Sequence, residues 1–149
     1  FPVTVKYNAL IPYLHASEVK ARARKVPCTD MGWEINADSF YRVLKRFWLY
    51  GGVKKIIVTE GGASFKDQLV NGAVHDHKRI DYFSSYLSAM LRARKEGVNI
   101  GGYFAWTLTD NFEWTEGYLS RFGLVHVDFH TQLRTIKDSG YWFRDFLKG

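Results

Sequence analysis

The chain contains a single cysteine, Cys28, and three prolines. A lone thiol excludes an intrachain disulfide and constrains the redox compartment only weakly. Cys28 reads as a small buried or half-buried side chain rather than a nucleophile. No run approaches about 18 uncharged apolar residues, the length that would cross a bilayer, so no membrane partner is expected. A phosphate loop is also missing. Gly61 and Gly62 lack the lysine and hydroxyl residue that would follow them, and Gly101 and Gly102 fall inside an apolar segment. The start, FPVTVKYNALIPYL, has no basic leader, no continuous apolar core and no initial Met, which fits an interior start or a processed chain. Localisation stays open, with the cytoplasm as the default expectation.

What is present is apolar and aromatic. The 149 residues are 46% hydrophobic and 17% aromatic, which argues against disorder and for substantial buried surface. The net charge of +6 raises the question of nucleic acid, because basic surfaces attract phosphates. The cations are scattered: Lys20, Arg22, Arg24 and Lys25, then Lys45 and Arg46, Lys54 and Lys55, and Arg92, Arg94 and Lys95. Most fall on expected helices or loops, so no nucleic-acid partner is inferred. The histidines His15, His75, His77, His126 and His130 have no convincing metal-ligand spacing. His75 and His77 are expected to point apart on a strand and to diverge on a helix, and no metal or cofactor is assigned.

Along the chain, residues 1–14 can hold one strand, with Pro2 and Pro12 restricting its ends. Residues 17–25 read as a short charged helix or an exposed linker. Residues 29–36 read as irregular, anchored by Trp33 and Ile35. Asp38 or Ser39 is the expected cap of a helix with Phe40, Val43, Leu44, Phe47 and Trp48 on one face. Gly51 and Gly52 stop it. The IIV run of residues 54–59 predicts a parallel strand covered on both faces. A surface loop follows, with Asn71 and Gly72 as its turn. The spacing of Ile80, Phe83, Leu87 and Met90 or Leu91 predicts a helix over residues 77–95, capped by Asp76 and ended by Gly97. Residues 99–106 form a second strand, giving a βαβ unit with an expected right-handed crossover. Residues 123–129 suit a short strand or hairpin arm, and residues 137–147 a helix bearing Tyr141, Trp142 and Phe146.

Two strand ends carry the candidate chemistry. The segment KKIIVTEGG places Glu60 where the first confident strand stops and a tight turn begins, the position at which (β/α) enzymes hold their chemistry. The second confident strand ends at Trp106 and runs into TLTDNFEWTEGYLSR, where aromatics alternate with acids and amides. A pyranose stacks its C–H face on an indole, and a carboxylate accepts hydrogen bonds from two neighbouring hydroxyls. A carboxylate at each strand end, with tryptophans beside them, therefore points to a carbohydrate site.

Five separated segments resemble family 1 glycoside hydrolases, the β-glucosidase and β-galactosidase group. They are residues 29–35 (TDMGWEI), 57–62 (IVTEGG), 75–82 (HDHKRIDY), 97–129 (GVNIGGYFAWTLTDNFEWTEGYLSRFGLVHVDF) and 134–142 (RTIKDSGYW). The resemblance covers residues 29–149 in the family's order; residues 1–28 carry little of it. It implies an α/β fold that is the carboxyl-terminal portion of a (β/α)8 barrel, holding the seventh and eighth strand–helix units. A complete barrel takes about 250 residues. One partial barrel domain over residues 1–149 is therefore expected, its remainder coming from a missing amino-terminal segment, another chain or associated copies.

The same resemblance implies roles. Glu60 matches the catalytic nucleophile, Glu113 takes hydroxyls at the far end of the glycone, Trp106 forms a wall, Trp114 donates to a hydroxyl, and Phe122 closes the subsite. The acid/base of the family is a glutamate following an asparagine, and no Asn-Glu dipeptide occurs in this chain. Gly61 stands where the family usually has asparagine, and Ile136 where proline is common. The expected activity is hydrolysis of terminal β-linked sugars with retention, on a β-glycoside or oligosaccharide, once the missing half is supplied. The alternative is a noncatalytic carbohydrate-binding or structural interaction protein derived from part of the enzyme.

Overall fold

Ile56, Ile57 and Val58 are β-branched and stiff at χ1, which suits an extended chain. They open β3 (Ile56–Gly61), preceded by two short strands, β1 (Val5–Tyr7) and β2 (Ala16–Glu18), that pair antiparallel. β3 runs parallel to β4 (Ile100–Ala105), and the two are joined through α2 (His77–Lys95), as the βαβ reading expects. An antiparallel hairpin of β5 (Val125–Val127) and β6 (Arg134–Ile136) follows, then α3 (Asp138–Lys148). The remaining helix, α1 (Ala37–Trp48), precedes β3. This computed structural model describes residues 2–149. Among them the strands form three two-stranded sheets, so the α/β arrangement is that of a partial, unclosed barrel. No helix among them is long and apolar enough to cross a membrane.

The helix ends show which polar groups win the orphan backbone N–H groups. Asn36, not Asp38 or Ser39, caps α1: its Oδ1 accepts from the Ser39 N–H at 3.0 Å. Asp38 lies inside the first turn, where its carboxylate is engaged by Arg42 at 2.7 Å and Arg92 at 2.9 Å. α2 begins after Asp76 and ends before Gly97, whose φ of +94° reverses the chain. Arg92, Arg94 and Lys95 fill its last turn, where cations meet the negative end of the macrodipole. The expected charged helix over residues 17–25 is instead β2 and a single 3₁₀ turn, Arg22–Arg24.

The core lies between α1, α2 and β4. Leu44, Phe83, Leu87, Met90, Ala93, Val98, Ile100 and Leu124 are buried together, with Trp142 and Phe143 of α3 packed against them. Each fully buried Leu or Phe contributes about 1.5–3 kcal/mol. One expectation fails here. β3 was to be covered on both faces, but Ile57 is 50% exposed and Phe104 of β4 is 62% exposed. α2 covers one face only, and a two-stranded parallel sheet keeps open edges and an open face. On α1, Val43 and Phe47 of the expected apolar face are likewise exposed.

Those open surfaces generate a test. Expressed by itself, the chain is expected to self-associate or to lack a cooperative unfolding transition in sedimentation velocity and denaturant titration. A compact monomer unfolding cooperatively would contradict this. Where the chain is held in a folded assembly, Asn36→Ala is expected to cost about 1 kcal/mol by removing the α1 cap.

Candidate active site

Glu60 lies one residue from the end of β3, and its placement depends on an irregularity in the sheet. Val58 pairs with Tyr103 and Gly61 with Ala105, so three steps along β3 oppose two along β4. The extra residue makes a bulge, a device that re-aims a side chain at a strand end. Glu60 is exposed at this bulge, and among the described residues its carboxylate accepts no hydrogen bond. The Trp106 N–H donates to the Gly61 carbonyl at 3.0 Å, which fixes the two strand ends side by side. The Trp106–Thr107 peptide is cis.

Both glycines after Glu60 face close neighbours. A Cβ at Gly62 would strike the Trp106 carbonyl oxygen, a backbone atom that cannot swing aside. A Cβ at Gly61 would meet the Tyr103 ring, so Tyr103 occupies the space a side chain at 61 would need. The Tyr103 hydroxyl is buried without a hydrogen-bond partner, and burial pushes its pKa above the ordinary range. Tyr103 also borders a cavity of about 310 Å³ with Glu60, Trp33, Tyr82 and Tyr86.

Beyond Trp106 the chain forms a long loop. The Trp106 indole Nε1 donates to Glu113 Oε1 at 3.3 Å, which brings the two expected site residues of this strand end together. A tight turn holds Glu113: its N–H donates to Gly117 O at 2.7 Å, and Glu116 N–H donates back to Glu113 O at 2.8 Å. Trp114 occupies the left-handed region at φ +44° and is 85% exposed. Phe122 is buried, its ring 6.2 Å from that of Trp33. The structure therefore links the end of β3, where Glu60 stands, to Trp106 and Glu113 through hydrogen bonds, while Trp114 is exposed and Phe122 is buried.

The loop is held by a buried charge network that the sequence reading missed. Lys137 Nζ lies 2.8 Å from Asp110 and 2.5 Å from Asp67. Arg121 pairs with Asp110 at 2.6 Å and donates to Val127 O at 2.9 Å. Arg79 pairs with Asp67 at 2.9 Å, binds Asp76, and donates to Arg121 O at 2.8 Å. Three carboxylates thus meet three cations. Asp76 does not cap α2 with its side chain; its carboxylate accepts from the Ser139 N–H at 2.8 Å and the Ser139 hydroxyl at 2.5 Å. One signal was available. Arg79 stands four residues before Phe83 on the buried face of α2, where a cation is tolerated only with partners.

The network has electrostatic consequences. Burial raises the Asp110 carboxyl, but Lys137 and Arg121 outweigh it and hold the group below the usual carboxylate range. Burial, reinforced by Arg79, lowers the Lys137 ammonium. Burial and then Arg121 likewise lower His126. Asp110 also accepts from the Gly123 N–H at 2.9 Å, so Asp110 and Arg121 clasp the base of the loop that carries Glu113.

Parallel strands joined by a helix, with a carboxylate and a tryptophan at adjacent carboxyl ends, define an enzyme-like (β/α) unit. The chain belongs to Glycosyl hydrolase family 1, whose model matches residues 6–149. It is 44% identical over 145 residues to a 1,4-beta-D-glucan glucohydrolase of Thermotoga neapolitana, covering 97% of this chain and 32% of that protein. A beta-glucosidase of an Agrobacterium species is 39% identical over 145 residues, with 97% and 30% covered. Among solved structures, a family 1 β-glucosidase from Thermotoga maritima matches with a TM-score of 0.92 at 43% identity, covering 98% of this chain and 32% of that one. The chain thus spans about a third of the length of these relatives.

Asp110 provides a test of the clasp. Asp110→Asn leaves Arg121 and Lys137 short of a partner and is expected to cost about 3–5 kcal/mol in the folded assembly. Because the folded Asp110 pKa is depressed, its contribution is complete above the ordinary carboxyl value of about 3.9 and is lost as pH falls through the lower folded value. Denaturant unfolding followed through the acid limb should show that loss in the parent protein and a weaker one in Asp110→Asn. Equal acid sensitivity would contradict the assignment.

Proposed function

We propose that the chain is the carboxyl-terminal portion of a (β/α)8 barrel and supplies the nucleophile half of a retaining β-glycosidase. The observation that carries this reading is the junction of Glu60 and Trp106 at the carboxyl ends of paired parallel strands. Glu60 attacks the anomeric carbon from beneath the sugar and forms a glycosyl-enzyme ester, which water then hydrolyses. The proton for the leaving oxygen comes from a carboxyl group on the amino-terminal segment or a second chain, about 5–5.5 Å from Glu60 in a retaining site. No cofactor enters the chemistry.

Recognition falls to the loop after β4. The Trp106 indole N–H engages one oxygen of Glu113 and leaves the other to accept from a sugar hydroxyl. The Trp106 face receives the C–H face of the pyranose. Trp114, exposed beside Glu113 in sequence, offers a further N–H donor, and Phe122 closes the subsite from below. The substrate is a terminal β-glycoside or oligosaccharide. A noncatalytic sugar-binding protein is the competing reading, favoured by Gly61, where no side-chain amide supports the nucleophile.

Variants in the complete assembly separate these readings. Glu60→Gln is expected to lose several orders of magnitude in turnover with appreciable affinity retained, while Glu113→Gln weakens binding and transition-state stabilisation together, by about 1.5–3 kcal/mol for a charged hydrogen bond. With a substrate bearing a good leaving group, azide should rescue Glu60→Ala, giving the glycosyl azide of opposite anomeric configuration, and should not rescue Glu113→Ala. The reverse rescue pattern would overturn both assignments. Sugar binding without Glu60-dependent turnover in that assembly would establish the noncatalytic reading.

A further inference from the structure

The seam between the amino-terminal ends of α2 and α3 brings together three side chains that sequence spacing separates. His75 precedes α2, His77 is its first residue, and Asp138 is the first residue of α3. The two imidazoles do not diverge as expected. Their rings stack with centroids 6.3 Å apart and planes 10° from parallel, with the helix beginning between them, after Asp76. His75 Nδ1 lies 2.8 Å from Asp138 Oδ2, and one ligand atom from each of the three residues falls within 4.8 Å of the others. We propose that His75, His77 and Asp138 form a surface site for a borderline divalent transition ion of the Zn²⁺, Co²⁺ or Ni²⁺ class.

The geometry and the donor set both favour such an ion. Adjacent ligands on a metal with bonds of about 2.1 Å stand about 3.0–3.4 Å apart, close to the His75–Asp138 spacing. His77 reaches that separation by a rotamer adjustment, since both histidines are exposed. Two imidazoles with one carboxylate select first-row transition ions over Ca²⁺ or Mg²⁺, which take oxygen ligands. Water completes the coordination. The positive ends of the two helix dipoles and Lys78 oppose a cation here, a surface effect that solvent and salt screen.

The backbone that carries the ligands is already fixed. Asp138 N–H donates to Val74 O at 3.0 Å, and both the N–H and the hydroxyl of Ser139 bind the buried Asp76 carboxylate. A bound ion would therefore meet a preorganised frame and cross-link α2 to α3. Lys137, adjacent to Asp138, holds Asp110 at the base of the Glu113 loop, so the site braces the helices behind that loop.

Titration of the untagged, complete assembly tests this. Isothermal calorimetry with Zn²⁺ and the visible absorption of added Co²⁺ should report one ion per chain with a dissociation constant in the micromolar range. Zn²⁺ should raise the thermal midpoint. His75→Ala and His77→Ala should each weaken binding by at least about tenfold, the lower bound of what even outer-sphere changes cause in metal sites. Both should also abolish the thermal shift while leaving metal-free turnover intact. Cys28→Ser and His130→Ala should bind as the parent does. Absence of ion binding, or equal binding by His75→Ala and His77→Ala, overturns the proposal.

Discussion

One backbone hydrogen bond sets the geometry on which the candidate site depends: Trp106 N–H to the Gly61 carbonyl, at 3.0 Å. It closes the parallel pairing of β3 and β4 just past the bulge at which Glu60 stands exposed. Gly62 is required by that closeness, because any Cβ there would collide with the Trp106 carbonyl. Trp106 in turn orients Glu113 through its indole nitrogen. The β3 end that carries Glu60 and the loop carboxylate of Glu113, far apart in sequence, are thus coupled through two hydrogen bonds on one tryptophan.

A loop of this length would wander if only its ends were tied. Asp110 and Arg121 clasp its base, and Lys137 joins that clasp to Asp67 and Arg79. Buried ion pairs add little net stability relative to a well-packed apolar cluster, since desolvation opposes the Coulomb gain. Their value here is directional. Each carboxylate oxygen has a fixed donor, so the loop has one seating rather than several. The apolar core supplies stability from the α1, α2 and β4 side, and the polar network supplies position.

How much of this was legible in the sequence follows from how local each signal is. The bounds of α2 were readable because Ile80, Phe83, Leu87 and Met90 repeat at helical spacing between Asp76 and Gly97. β3 and β4 were readable from their apolar runs, and the positions of Glu60 and Trp106 from the ends of those runs, whereas Glu113, in the loop beyond β4, was singled out chiefly by the family resemblance. The cap of α1 was misread: Asp38 is an equally good capping residue, but its carboxylate is drawn to Arg42 and Arg92, leaving Asn36 to cap. The charge network was not legible, because Asp67, Asp110 and Lys137 look like loop residues until tertiary packing buries them. His75 and His77 were placed apart by treating them as members of one element, whereas the helix begins between them. The cover expected on the outer face of β3 is absent among the described residues, where Ile57 and Phe104 stand exposed.

In the proposed function, Glu60 bonds the anomeric carbon while Glu113 and Trp106 hold the same sugar ring. Its most direct test is a crystal structure of the complete assembly trapped with an activated 2-deoxy-2-fluoro-β-glycoside, which accumulates the covalent intermediate. Continuous density is expected from the Glu60 carboxylate to the anomeric carbon, with the ring on the Trp106 face and hydroxyls at the far end within hydrogen-bond distance of Glu113. A sugar bonded to another residue, or one bonded to Glu60 with Glu113 and Trp106 out of contact, would contradict it.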